Sequence, residues 1–112
     1  MSASTLGEHV AAKPDPVLGR FKDALDLMYG SRIDRVVLFG SRARGDARED
    51  YDIAVFLKSL DDRWEELDRL ADLRVRLLEE IGAFFDARPN LTTAYDERTP
   101  LMREIRREGL DL

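Results

Sequence analysis

Apolar positions along the chain follow two different periods, and the change from one to the other marks the expected elements. Asp15-Pro16 is a helix start, with Asp15 able to cap free N–H groups and Pro16 preset for the first turn. Val17, Leu18, Phe21, Ala24, Leu25 and Met28 then fall on one face at helical spacing, and Gly30 closes the helix. Ile33 to Phe39 predicts a first strand. Its nearly unbroken apolar run from Val36 suits a strand covered on both faces. A second strand is expected from Asp50 or Tyr51 to Lys58. There Asp50, Asp52, Ala54 and Phe56 share one side, and Tyr51, Ile53, Val55 and Leu57 face the helices. The longest helix is expected from about Asp61 to Glu80, with Leu60, Trp64, Leu67, Ala71, Val75 and Leu78 as its central stripe.

Leu70, Leu73, Leu77 and Ile81 widen that stripe beyond what a small sheet needs. The surplus is read either as a partner surface or as the seat of the C-terminal segment, with Trp64 in the core. Gly82 to Arg88 predicts a third strand, ended by Pro89 at a strand end or sheet edge. Asn90 to Arg98, with Tyr95, is a polar connection. Thr99-Pro100 opens a last helix with Leu101, Met102 and Ile105 inward and Gly109 at its close. Arg103, Arg106 and Arg107 sit near its end, where positive charge favours the helix dipole.

The order helix, strand, short helix, strand, helix, strand, helix predicts an α/β or α+β domain with a small mixed sheet, helices packed on one side and an open face. Residues 1–14 lack periodicity and read as a flexible N-terminal arm; residues 15–112 form a single domain. His9, alone in the arm, is assigned no role.

Composition narrows the chemistry. The absence of cysteine excludes disulfides, thiolate zinc sites and a thiol nucleophile. No apolar run approaches the roughly 20 residues of a membrane span, and the start lacks a signal-peptide core, so a cytoplasmic location is the default and no membrane partner is expected. A net charge of −5 argues against direct nucleic-acid binding and suits a basic protein partner. Locally the sign reverses, with Arg32, Arg35, Arg42, Arg44 and Arg48 expected near one phosphate site.

That site is expected at Gly40-Ser41, where the first strand ends. Glycine lets the backbone approach a phosphate, and a short helix from Ser41 to Arg44 would aim free N–H groups at the anion. Arg42 and Arg44 can add charge-assisted bonds. Asp50 and Asp52 project from one side of the second strand, roughly 7 Å apart along the chain, a separation that one divalent cation can bridge.

Gly40-Ser41, followed by Asp50-x-Asp52 and an apolar strand, resembles the signature of the polymerase-beta-type nucleotidyltransferases. Gly-Ser-Arg-Ala-Arg-Gly with Asp-Tyr-Asp-Ile-Ala-Val is most similar to the minimal nucleotidyltransferases, the antitoxin half of HEPN/MNT toxin–antitoxin pairs. The likeness spans roughly Phe21 to Gly109. Glu49 replaces the usual serine, adding negative charge beside the site, and Tyr51 replaces a commoner aliphatic residue.

The resemblance implies a polymerase-beta-like nucleotidyltransferase fold and a third carboxylate on the strand after the long helix, a position matched by Asp86. It implies that Gly40, Ser41, Arg42 and Arg44 bind the nucleotide, and that Asp50, Asp52 and Asp86 act as catalytic residues and ligands of two Mg²⁺. It further implies AMP transfer from ATP to a tyrosine hydroxyl of a cognate HEPN toxin, within a hetero-oligomer. A binding module that neutralises its partner by contact, and nucleotidylation of a small molecule with a partner subunit, are the alternatives.

Overall fold

The structure, a computed structural model, describes residues 10–46 and 50–112. Helix α1 spans Pro16–Tyr29. Its cap is the expected one: the Asp15 carboxylate accepts a hydrogen bond from the Val17 N–H at 2.8 Å, and Gly30 takes a positive φ of 53° to leave the helix. Strand β2 covers Ile33–Phe39, the four-residue helix α2 covers Gly40–Ala43, and β3 covers Tyr51–Leu57. Helix α3 runs from Arg63 to Ile81 with Asp62 accepting from the Glu65 N–H, and Gly82 closes it in the left-handed region. Strand β4 (Phe85–Leu91), a 3₁₀ turn (Thr92–Asp96), helix α4 (Pro100–Glu108) and the short strand β5 (Leu110–Asp111) complete the order.

Five strands form one mixed sheet in the order β1-β5-β2-β3-β4, where β1 is Val10–Ala11. β2 pairs antiparallel with β3, and β3 pairs parallel with β4. A parallel pair needs a long crossover, which α3 supplies. The end of the expected N-terminal arm is thus not loose: Val10 and Ala11 pair with Leu110 and Asp111. His9 and the rest of the arm lie outside the described residues.

Helices cover both faces. Leu18, Phe21 and Leu25 of α1 and Leu70, Leu73 and Leu77 of α3 pack on one face with Tyr51, Ile53, Val55 and Phe85. The Phe85 ring stacks between Phe21 at 4.3 Å and Tyr51 at 4.7 Å. On the other face, Met102 and Ile105 of α4 join Tyr95 over Val37, Phe39, Ala54 and Phe56. The long helices follow the one-sided arrangement expected from sequence. The last helix does not, because Val37, Phe39, Ala54 and Phe56 would otherwise leave an apolar patch in water.

Three expectations need correction. Trp64 is 77% exposed rather than in the core, and Val75 and Leu78 are also exposed. The packed stripe of α3 is Leu70, Leu73 and Leu77 together with the buried Glu66, whose charge is met by Arg32 at 2.9 Å. The C-terminal segment does not wrap the exposed flank; it crosses to the opposite face. The third strand starts at Phe85 and continues through Pro89. Pro89 is tolerated because β4 is the sheet edge. Its carbonyl accepts from Arg63 of α3 at 3.0 Å, so the side of Pro89 that lacks an N–H faces away from β3.

Candidate active site

Three neighbouring strands bring the acidic residues and the glycine-serine turn together. In the sheet register Phe39 of β2 lies opposite Asp52 of β3, and Asp52 lies opposite Asp86 of β4. Adjacent strands are about 4.8 Å apart, and in-register partners point to the same face. Asp52 and Asp86 are therefore side by side, with Gly40 one residue beyond Phe39.

Gly40 has φ 76°, a conformation that side chains rarely adopt. A Cβ built there would stand 2.5 Å from the Asp52 Oδ2. The turn thus lies directly against the carboxylate, and only glycine leaves the room. α2 follows at once, and the first N–H groups of a helix have no partner within it. Backbone donors and carboxylates consequently meet at one place.

The site is electrostatically unfinished. The Asp52 carboxyl is pushed above its ordinary value, first by burial, then by the Asp86 carboxylate; Arg88 opposes this, and Asp50 and Glu104 add to it. Arg88 makes an ion pair with Asp86 at 3.2 Å and supplies part of the missing positive charge. Asp50 is exposed at the mouth, just before β3. Among the described residues, no three histidine or acidic side chains stand as they are in position to hold a metal ion. The donor chemistry nonetheless fits one: Asp52 and Asp86 are hard-oxygen ligands in register, held together against their mutual repulsion.

The arginines divide. Arg42 turns away from Asp52 to the α1 side, its guanidinium 3.9 Å from the centre of the Tyr51 ring and 3.0 Å from the Tyr51 hydroxyl, which donates to Asp15 at 3.3 Å. A cavity of about 590 Å³ lies on that side. Arg42 is thus engaged by the Tyr51 ring and hydroxyl on the α1 side of the turn. Arg44 extends toward α4 and pairs with Glu108 at 3.2 Å and Glu104 at 3.7 Å. Arg32 and Arg35 are at the other end of β2: Arg32 binds Glu66, and Arg35 is buried against Asp111 and the Tyr95 ring. The expected cluster of five arginines does not form at the turn; Arg48 and Glu49 lie outside the described residues. Glu104, absent from the sequence-based set, joins the site from α4. No local motif signals it, since only the fold over the second face brings it to Asp52.

A family model described as "Polymerase beta, Nucleotidyltransferase" matches residues 26–110. The chain belongs to this nucleotidyltransferase family. It is 34% identical over 73 residues, 65% of its own length and 69% of the relative's, to the "Putative protein adenylyltransferase MJ0604" of Methanocaldococcus jannaschii. Its fold is similar to two solved toxin–antitoxin structures. One is described as an MntA-HpeT mutant (24% identity, TM-score 0.56, covering 84% of this chain and 70% of that one). The other is described as a toxin–antitoxin with AMP-PNP (22% identity, TM-score 0.55, covering 87% and 72%). The resemblance drawn from Gly40-Ser41 and Asp50-x-Asp52 thus identified the right superfamily and fold. In this nucleotidyltransferase the motif occupies adjacent ends of β2 and β3, with Asp86 beside it.

Proposed function

We propose that this nucleotidyltransferase transfers AMP from ATP to a tyrosine hydroxyl of a partner HEPN toxin, acting as its antitoxin in a Mg²⁺-dependent reaction. The reading is carried by one observation: Asp52, directly against Gly40, is the in-register neighbour of Asp86. The relative named as a protein adenylyltransferase and the toxin–antitoxin structures of similar fold support the choice of substrate and partner.

In this reading the backbone N–H groups at Gly40 and Ser41 hold the triphosphate, and Arg44 exchanges its contacts with α4 for a phosphate oxygen. Asp50, Asp52 and Asp86 would ligate Mg²⁺, which supplies charge neutralisation for the attacking and leaving oxygens. The acceptor oxygen attacks the α-phosphorus. The bond from that phosphorus to the oxygen bridging to the β-phosphate breaks, and pyrophosphate leaves. In this reading Asp86, on the edge strand beyond Asp52, takes the hydroxyl proton.

The protein is incubated with α-labelled ATP, Mg²⁺ and the product of the adjacent gene. Label should move to a tyrosine of that product with the wild type and not with Asp52→Asn. No transfer by the wild type refutes the reading. The exposed Trp64 favours a second reading, neutralisation by contact alone. That reading requires Asp52→Asn to protect cells as well as the wild type does.

A further inference from the structure

The sheet order sets a direction across the site. The phosphate turn follows β2, Asp52 is on β3 in the middle, and Asp86 is on β4 at the edge. In-line displacement places the attacking oxygen opposite the leaving pyrophosphate. With pyrophosphate held over the β2 side, the hydroxyl has to arrive over β4. α4 packs over the face beyond Asp52, and on the Asp86 side the outer edge of β4 lies open to an incoming segment.

A groove of about 430 Å³ runs along that edge between β4 and α3. Its α3 wall carries Trp64, Leu67 and Ala71, and its β4 wall carries Asp86 and Ala87. Trp64 is the exposed tryptophan that the fold leaves in water at 77%. Desolvated tryptophans dominate the energetics of protein interfaces.

The edge itself is guarded at one end only. Phe84 O bonds to Tyr51 N of β3, so even-numbered residues of β4 direct their backbone groups toward β3 and odd-numbered residues direct theirs outward. Pro89, directed outward, has no N–H, and its carbonyl is taken by Arg63. Phe85 is fully buried. Of the outward-directed positions that remain, Ala87 and the terminal Leu91, Ala87 is the one that lines the groove, and it is next in sequence to Asp86. An incoming strand would therefore be registered at the carboxylate that faces the acceptor.

We propose that this groove is the acceptor-docking site: an extended segment of the partner protein lies along β4 at Ala87 and seats an apolar side chain against Trp64, Leu67 and Ala71. Its neighbouring residue points to the opposite face and presents its hydroxyl to Asp86, as alternation along a strand requires. The proposal rests on the transferase reading for the chemistry of the occupant. The place of docking is tested separately.

Because the chain has no cysteine, Trp64→Cys carries a single thiol-reactive benzophenone, and Leu27→Cys, 91% exposed on α1 outside the groove, is the control. Each is irradiated with the adjacent gene's product in Mg²⁺-ATP, and label transfer by the unmodified wild type is measured in parallel. A crosslink to that product from position 64 and not 27, mapped within a few residues of a hydroxyl side chain, is expected. Trp64→Glu should raise the acceptor KM at least about tenfold, roughly 1.4 kcal/mol, with the KM for ATP unchanged. A position-64 crosslink without label transfer keeps the docking site and refutes the chemistry. Label transfer without that crosslink, equal crosslinking from both positions, a crosslinked dimer of this chain, or neither crosslink nor transfer overturns the docking site.

Discussion

Replacing Gly40 by alanine probes the contact that joins the Gly40-Ser41 turn to Asp52. Two costs are separable. The backbone is held at φ 76°, where an L side chain costs about 1–2 kcal/mol, equivalent to a fall in Tm of roughly 4–16 °C for a domain near this size. The new methyl group would also meet the Asp52 Oδ2 at 2.5 Å, against the 3.4 Å at which ordinary contact begins, so the carboxylate has to retreat by about 0.9 Å. A side-chain end can move that far at little cost in stability. Its chemistry is less tolerant, since a misplacement of about 1 Å can cost on the order of 10²-fold in rate.

Gly45→Ala is the control. Gly45 has φ 100°, and a methyl group added there would find nothing within 4 Å, so it bears the backbone cost without the clash. Thermal unfolding and the initial rate of Mg²⁺-dependent label transfer from ATP are measured for both variants at a temperature where both are folded. Both should lose stability, and Gly40→Ala alone should lose about 10²-fold in kcat. Equal kcat for the two variants would refute the claim that Gly40 is present to leave Asp52 in place.

Asp52→Asn should raise Tm at pH 7 in metal-free buffer, by about 4 °C if the gain is near 1 kcal/mol, a usual size for relieving a functional site. Burial and Asp86 raise the folded pKa of Asp52 above its ordinary 3.8, so the favourable contribution of the neutral acid is complete below that value and is lost as pH rises through the folded value. The advantage of asparagine should accordingly shrink as pH falls toward about 4 and level off below it; a gap that widens on acidification contradicts the assignment. Gly109→Ala should destabilise by about 1–3 kcal/mol, because the added Cβ would meet Val37 Cγ1 at 2.4 Å and the backbone oxygen of Ile105 at 2.5 Å, and the latter cannot step aside. Urea unfolding checks this: the midpoint should fall with the slope unchanged, and an unmoved midpoint would show that β2 and α4 are less tightly packed than the structure has them.

Local chemistry was legible in the chain. Asp15 and Thr99 cap α1 and α4 where expected, because capping joins residues two or three apart and needs no tertiary partner. The bounds of β2, the Gly40-Ser41 turn and the position of Asp52 followed from period and turn chemistry for the same reason. Asp86 was reached through family resemblance. Its spacing alone was that of a surface residue, and only the parallel pairing of β4 with β3 makes it a neighbour of Asp52.

Other features depended on how elements stack. α3 carries two overlapping apolar stripes, and periodicity could not choose between them. Docking against α1 and the sheet buried Leu70, Leu73 and Leu77 and left Trp64 in solvent. Arg42 and Arg44 are two residues apart, yet one stacks on Tyr51 and the other pairs with α4, a division set by packing on opposite faces of the sheet. Glu104 reached Asp52 only because α4 crossed to the second face. The helix caps, the bounds of β2 and the Gly40-Ser41 turn rest on contacts within a few residues, so the order of amino acids was enough to specify them. Which carboxylates share a face, and which flank of α3 is left for a partner, was settled by pairing between strands far apart in the chain.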